Sequence, residues 1–239
     1  MPESRAIIVF DIDGTLLHSI GHHQGALLEA YAELGVAIGD RELSDFPDHT
    51  DSAIYDLLLA EARGEPASAA DLEQLDSVLE RHYLQRTHSA APLAVTGAGE
   101  LLAYLATDER VSVAFATGSM RSVAGHKLAQ LGVDVDGAVL VTASDLLTRE
   151  EIVARAIDLA AGSSPGPSRA VSIGDGIWDL RAADALGVPF VAVESGTHSF
   201  GSGPVHSVID LGSLTADQLL ALAGDTNFPL STVMTQKEQ

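Results

Sequence analysis

Residues 6–16, AIIVFDIDGTL, form the stretch around which the rest of the sequence is organised. Residues 7–10 are four consecutive apolar residues, a run that indicates a strand buried on both faces. Asp11 and Asp13 follow, and two carboxylates at the end of a buried strand are costly unless they are paired or bind a metal. Ligands of open α/β sheets bind at this end of the strands. The stretch therefore predicts a functional site; the alternative is a strand that ends in an ordinary turn, with Gly14 bending the chain.

The composition sets limits on the function. The chain has 239 residues, 46% of them hydrophobic, with no cysteine and a formal net charge of −21. The absence of cysteine excludes disulfide and thiol chemistry, and the negative charge argues against a nucleic-acid partner. We find neither a membrane-spanning run nor a signal-like N-terminus, so we expect a soluble, cytoplasmic protein without a membrane partner. An acidic protein repels a phosphate ester, but a bound divalent cation would reverse the local field.

Two kinds of pattern divide the chain. Residues 18–92 show helical periodicity and no strand, and a connection of that length favours a separate small all-helical domain. From Gly97 onward strands and helices alternate, which predicts a mostly parallel sheet covered by helices on both faces. We therefore predict an α/β core made of residues 1–17 and 93–224, a helical unit of residues 18–92, and a loose C-terminal tail of residues 225–239.

A second strand ends in hydroxyl residues. The apolar run up to Ala116 is followed by Thr117, Gly118 and Ser119 and then by a helical pattern. A hydroxyl at a strand end, together with the free N–H groups of a helix start, can hold a phosphate group. The alternative is a plain strand-to-helix turn in which Ser119 is the N-cap.

A third strand ends in acidic residues. Asp175 and Asp179 follow the apolar run at residues 170–173. If they converge with Asp11 and Asp13, each pair of like charges about 4 Å apart costs roughly 4 kcal/mol at an effective dielectric constant near 20. A divalent cation removes that repulsion, and an all-oxygen ligand set suits Mg²⁺. The alternative is that Gly-Asp-Gly is only a turn, and we expect the neighbouring Trp178 to serve in packing.

These motifs resemble those of the haloacid dehalogenase superfamily, whose phosphatases open with a strand ending in DxDGT. The strand that ends at Thr117 is similar to the second motif of the family, and Asp175 with Asp179 is similar to its GDxxxD motif. Residues 18–92 lie where the family has its helical cap. The segment of residues 48–51 resembles the cap region of phosphoglycolate-phosphatase-like members, which makes His49 and Thr50 candidates for substrate specificity.

The third motif departs from the family pattern. The family usually has a lysine at the start of a helix before the last motif, but the only lysines in this chain are Lys127 and Lys237. Arg149 begins a predicted helix and is the best candidate by position. Arginine can hold a carboxylate and a phosphoryl oxygen together in a fork. The alternative is that Arg149 only pairs with Glu150 or faces solvent.

The resemblance implies a Rossmann-like core and a Mg²⁺-dependent phosphomonoester hydrolase acting on a small phosphorylated metabolite. Asp11 would be the nucleophile that forms an aspartyl-phosphate, and Asp13 the general acid and base. Thr117, Gly118, Ser119 and Arg149 would bind the phosphoryl group, and the four aspartates Asp11, Asp13, Asp175 and Asp179 would be the metal ligands.

Related activities are partly excluded. Asp13 argues against dehalogenation, and the absence of lysine from residues 18–92 argues against phosphonoacetaldehyde hydrolysis. A sugar-phosphate mutase and a non-catalytic binder of a phosphate ligand remain as alternatives. His22 and His23, near the junction of the two predicted units, are expected to be solvated hinge residues.

Overall fold

The computed structural model describes residues 5–162, 169–195, 200 and 206–224, and the predicted tail of residues 225–239 lies outside this range. Six strands form one sheet, in which every neighbouring pair is parallel. The strand order is β3-β2-β1-β4-β5-β6. The strands are β1 Ala6–Phe10, β2 Val111–Ala116, β3 Val139–Val141, β4 Ala170–Gly174, β5 Phe190–Val193 and β6 His206–Val208.

Eight α-helices accompany the sheet in the described ranges: α1 Ile20–Glu33, α2 Asp51–Arg63, α3 Ala69–Thr87, α4 Ala98–Leu105, α5 Arg121–Gln130, α6 Arg149–Ala161, α7 Ile177–Leu186 and α8 Ala216–Ala223. Two 3₁₀ turns cover Leu43–Asp45 and Leu211–Ser213. These elements confirm the predicted α/β class with a parallel sheet. None of the helices described is long and apolar enough to cross a membrane.

The central strand β1 is buried on both faces, as its unbroken apolar run predicts. Ile8 and Phe10 belong to one hydrophobic cluster of the sheet, whereas Ile7 and Val9 belong to the cluster on the opposite face. All five residues of β1 are buried, so a charged group can be tolerated only where the strand ends.

The register of the sheet brings three loops together. Phe10 pairs with Phe115 of β2 and with Ile173 of β4. The loops that follow β1, β2 and β4 therefore leave the same edge of the sheet side by side, which is the edge where α/β sheets bind ligands.

Residues 18–92, which we call the helical insert, hold α1, α2, α3 and the first 3₁₀ turn, and the structure describes all of them. The insert has its own buried cluster, to which Met120, Val123 and Ala143 of the α/β part also contribute. That the insert is a separate domain stays a prediction, because side chains of the insert and of the α/β part pack together in this cluster.

Local signals set most helix starts. Thr50 caps α2 by accepting a hydrogen bond from the Ala53 N–H, and Ser68 caps α3 within a capping box. The proposed N-cap role of Ser119 is wrong: α5 begins at Arg121, and Met120 holds the N-cap position without a side-chain hydrogen bond.

Candidate active site

Buried aspartates gather where β1 and β4 end. Asp11 directly follows β1, Asp175 directly follows β4, and Asp179 lies in the first turn of α7. Carboxylate oxygens from these three residues lie within 4.8 Å of one another, and all three residues are buried. Three of the four aspartates considered in the sequence analysis therefore lie together.

Burial shifts the titration of this cluster. Burial and the neighbouring carboxylates Asp11 and Asp179 raise the pKa of Asp175 to about 9. Burial raises the pKa of Asp179 to about 7, although Arg149 opposes the shift, and burial also raises the pKa of Asp11. Without a further positive charge the three carboxylates resist ionisation together.

One oxygen of this cluster lacks a hydrogen bond. Asp175 Oδ2 is buried and has no partner in the described structure. Such an atom is costly unless something else binds it. Hard oxygen ligands with an unpartnered carboxylate oxygen fit Mg²⁺, which prefers a few carboxylates together with substrate phosphate.

Two glycines, Gly14 and Gly174, leave room for the side chains of Asp175 and Asp179. Gly14 has a φ of +80°, and a Cβ at this position would lie 2.1 Å from Asp175 Oδ2. A Cβ on Gly174 would lie 2.7 Å from Asp179 Cβ. Glycine at these two positions lets the loops after β1 and β4 approach each other closely.

Asp13 does not belong to this cluster of oxygens, which corrects its predicted role as a side-chain metal ligand. Its carboxylate accepts hydrogen bonds from Ser19 Oγ at 2.5 Å, Ser119 Oγ at 2.7 Å and Lys127 Nζ at 2.6 Å. Burial opposes ionisation, but Lys127, His23 and the hydrogen bond from Ser19 together outweigh it and lower the pKa of Asp13 well below its ordinary value.

Lys127 is the main functional residue that the sequence prediction overlooked. Its side chain is fully buried, and besides Asp13 it contacts Ser119 Oγ at 2.9 Å and His23 Nδ1 at 3.1 Å. A signal was present in the sequence, because Lys127 lies three and four residues after Ala124 and Val123, on the buried face of α5.

The expectation that His23 is a solvated hinge residue is wrong. His23 is buried, its Nε2 donates to Asp51 Oδ1 at 2.9 Å, and its Nδ1 accepts from Lys127. It shares the apolar face of α1 with Ala26, Leu27 and Ala30, a periodicity that marks it as buried. His22 is partly exposed.

Asp51 joins the helical insert to the loop after β2. Its N–H donates to Gly118 O at 2.8 Å, and its Oδ2 accepts from the Met120 N–H at 2.9 Å. Because Asp51 also binds His23, a continuous set of polar contacts runs from this loop through the insert to Lys127 and Asp13.

Arg149 reaches the aspartate cluster. Its Nη1 donates to Asp11 Oδ1 at 2.9 Å and to Asp179 Oδ1 at 3.1 Å, and its Nε donates to the His49 carbonyl at 3.2 Å. The interpretation that Arg149 only pairs with Glu150 or faces solvent is therefore wrong. Its place at the start of α6, after the Thr148 N-cap, agrees with the sequence prediction.

Some of the groups predicted to bind the phosphoryl group are already hydrogen-bonded within the protein. Thr117 Oγ1 already accepts from the Ser119 N–H at 3.2 Å, and Ser119 Oγ is engaged with Asp13 and Lys127. Gly118 faces Arg149: a Cβ on Gly118 would lie 2.9 Å from Arg149 Nη2. The structure thus assigns Ser119 to the surroundings of Asp13, a correction to its predicted phosphate contact.

The two predicted specificity residues, His49 and Thr50, both line the cavity beside Arg149. The His49 ring stacks on the Trp178 ring, with centroids 3.7 Å apart and an interplanar angle of 6°. The Thr50 hydroxyl donates to the Leu147 carbonyl at 2.6 Å, so it serves in joining the insert to the loop before α6. The packing role expected of Trp178 agrees with this stacking.

A cavity of about 470 Å³ adjoins these residues. Its lining comes from both parts of the chain: Asp13, Gly118, Ser119, Arg149 and Trp178 from the α/β part, with the remaining side chains from the helical insert. A volume of this size accommodates a small ligand.

Residues 6–187 match the family model described as a haloacid dehalogenase-like hydrolase. The chain belongs to this family. Among curated proteins no sequence matches this hydrolase.

Solved structures share the fold of this hydrolase. CbbY from Rhodobacter sphaeroides in complex with phosphate is 20% identical, with a TM-score of 0.67 over 90% of this chain and 99% of the other. A β-phosphoglucomutase from Pyrococcus sp. strain ST 04 is 19% identical, with a TM-score of 0.57 over 92% and 99%. A hydrolase from Pseudomonas syringae is 22% identical, with a TM-score of 0.59 over 87% and 95%.

The raised pKa of Asp175 predicts how metal and pH act on stability. In metal-free protein the folded state binds this proton more tightly than the unfolded chain, so its contribution to stability is lost as pH rises from about 4 to about 9. We expect Asp175→Asn to unfold at a higher temperature than the wild type in EDTA, by a margin that grows from pH 5 to pH 9. Mg²⁺ should stabilise only the wild type at pH 8. Thermal unfolding would measure this, and a margin independent of pH would contradict it.

The buried pair of Asp13 and Lys127 predicts a non-additive mutant cycle. Lys127→Met leaves Asp13 without its cation and should lower the free energy of unfolding by about 3–5 kcal/mol. Adding Asp13→Asn removes the uncompensated charge, so the double variant should be more stable than Lys127→Met alone. Urea unfolding of the wild type, both single variants and the double variant measures the cycle. Additive losses would show that the pair is not energetically linked.

Proposed function

We propose that this protein is a Mg²⁺-dependent phosphomonoester hydrolase that acts through an aspartyl-phosphate on Asp11. One observation carries the proposal: two aspartates two residues apart have been given opposite environments. Asp11 lies among carboxylates beside Arg149, whereas Asp13 is held ionised by Lys127. Opposite environments of this kind assign different chemical roles to similar groups.

In the first step an Asp11 carboxylate oxygen attacks phosphorus. The bond from phosphorus to Asp11 forms as the bond to the leaving oxygen breaks, and the leaving oxygen takes the proton of Asp13, which becomes a carboxylate. Arg149 can assist, because its Nη2 makes no hydrogen bond within the described part of the chain and can donate to a phosphoryl oxygen. Family membership and the phosphate bound to CbbY support this chemistry.

In the second step Asp13 takes a proton from the water that attacks the phosphorus of the intermediate. The bond from phosphorus to Asp11 breaks, which releases inorganic phosphate and restores the carboxylate. The lowered pKa of Asp13 suits this role as a base. Its role as an acid in the first step requires a raised pKa, and an arriving phosphate dianion adds negative charge that acts in this direction.

The residues that would hold Mg²⁺ are Asp11, Asp175 and Asp179. When bound, Mg²⁺ supplies positive charge that balances the carboxylates and the phosphoryl oxygens. The helical insert carries His49, Asp51 and the cavity wall, so it excludes water from the reacting groups. The expected substrate is a small phosphorylated metabolite, and the expected location is the cytoplasm.

Loss of the nucleophile tests the proposal. We expect wild-type protein to release phosphate from p-nitrophenyl phosphate with Mg²⁺ and to lose this activity in EDTA. Asp11→Asn should lower kcat by on the order of 10³-fold or more, because an amide is a poor nucleophile of the same shape. Asp158→Asn, at an exposed position of α6, is the matched control and should remain active.

Two outcomes would favour the alternatives. Conversion of one sugar phosphate into its isomer without release of phosphate would indicate a mutase. Binding of phosphate esters without any turnover would indicate a non-catalytic binding protein.

Asp13→Asn should separate the two steps. p-Nitrophenolate leaves without a proton, so the intermediate should still form, whereas the water has lost its base. We expect a burst of about one equivalent of p-nitrophenol followed by a steady rate roughly 10²–10⁴-fold below that of the wild type. Stopped-flow absorbance measures the burst. A steady rate of that size without a burst would show that Asp13 acts before the intermediate forms.

A further inference from the structure

The cavity between the helical insert and the loops of the sheet edge has an apolar wall. Six aliphatic side chains from the insert line it: Ile20, Leu27, Leu28, Ile38, Leu43 and Ile54. Leu27 and Ile54 are almost fully buried, and Leu28 is 40% exposed. Carbon-rich walls stabilise ligands by removing apolar surface from water, and they make no directed contacts to sugar hydroxyls.

One of the two arginines described beside this cavity is already engaged. Of the residues described, two arginines line it, Arg41 and Arg149. Arg41 Nη1 and Nη2 donate to both oxygens of Glu61 at 2.9 and 2.8 Å, and its Nε donates to the Ile38 carbonyl at 2.9 Å. Arg41 therefore has little capacity left for a second anionic group of a ligand.

The other basic side chains of the helical insert are equally committed. Arg63 binds Asp71, Arg81 binds Glu33 and Arg86 binds Glu29, all on exposed surfaces away from the cavity lining. Within the described part of the chain, Arg149 is thus the cavity cation that can meet a phosphoryl group. Glu42 and Asp51 add negative charge to the lining.

Two neutral polar side chains, those of Gln24 and Ser44, line the cavity without a side-chain hydrogen bond to the residues described. The amide of Gln24, on α1, can donate to a carbonyl or accept from a hydroxyl. The lining thus offers apolar surface with two neutral polar contacts, the Gln24 amide and the Ser44 hydroxyl.

Resting on the proposed function, we infer that the substrate is a monophosphate ester whose leaving group is uncharged and largely apolar. The phosphate lies at Arg149 beside Asp11, its leaving oxygen faces Asp13, and the leaving group lies against the aliphatic wall of the insert. Substrates with a second phosphate or a carboxylate are disfavoured, because that charge would be desolvated without a cation.

Matched alkyl phosphates test the inference, because their leaving groups have similar intrinsic reactivity. Binding of butyl phosphate, hexyl phosphate and the ω-carboxylate analogue of hexyl phosphate is measured by calorimetry on Asp11→Asn with Mg²⁺, and kcat/KM is measured on the wild type. We expect hexyl phosphate to bind roughly tenfold more tightly than butyl phosphate, and at least about tenfold more tightly than its carboxylate analogue.

A charge variant sharpens the test. Leu28→Lys adds a cation to the lining at a partly exposed position, so it should reduce the preference for hexyl phosphate over its carboxylate analogue by about fivefold or more. Leu57→Lys, on α2 with 37% exposure and outside the cavity lining, makes the same charge change and should leave the preference as it is in the wild type.

The outcomes separate the inference from the proposed function. Turnover of p-nitrophenyl phosphate together with equal binding of hexyl phosphate and its carboxylate analogue, or with tighter binding of the analogue, overturns the inference and leaves the phosphatase intact. Failure to bind any alkyl phosphate while turnover persists also overturns it. Absence of both turnover and binding overturns the proposed function and the inference with it.

Discussion

Compensation of buried negative charge is the constraint on which this site depends. Four aspartates lie at one edge of the sheet, and Asp11, Asp175 and Asp179 are almost fully buried. Arg149 and Lys127 supply two positive charges, which leaves an excess of two negative charges, the charge of one divalent cation. Because unpaired buried charge is costly, the two cations stabilise the fold at this edge, and the metal that we propose would allow the remaining carboxylates to ionise.

The two cations divide the aspartates into separate sets. Arg149, at the start of α6, holds Asp11 and Asp179, whereas Lys127, inside α5, holds Asp13. Neighbouring carboxylates on one loop thereby obtain opposite pKa shifts, which suits the two different roles that we propose for them. His23 and Asp51 extend the second set into the helical insert. The position of the insert therefore influences the surroundings of Asp13 directly, and we regard this as the physical route by which closure over a substrate would act on the base.

Sequence reasoning found the parts of the site that are encoded locally. Buried strands that end in acidic or hydroxyl residues located Asp11, Thr117 and Asp175, and the start of a predicted helix, where the family usually has its lysine, located Arg149. The periodicity of α5 and α1 marks Lys127 and His23 as buried, but their partners depend on how these helices pack together, which no local pattern specifies. The contacts of Asp13 were missed for the same reason: its partners Ser119 and Lys127 lie more than a hundred residues away along the chain.

The strong negative charge of the chain and the affinity for a phosphate ester that we propose act over different distances. The net charge of −21 opposes an approaching anion, but solvent ions screen this repulsion beyond a Debye length of about 8 Å at physiological ionic strength. At contact distance, affinity depends on the local groups. The guanidinium of Arg149 and the N-terminal ends of α6 and α7 bring positive potential to the sheet edge. The surface arginines of the insert are paired with acidic partners and add little to this field. Global charge therefore slows association, whereas the site itself sets affinity, so an acidic surface is compatible with a phosphate-binding centre.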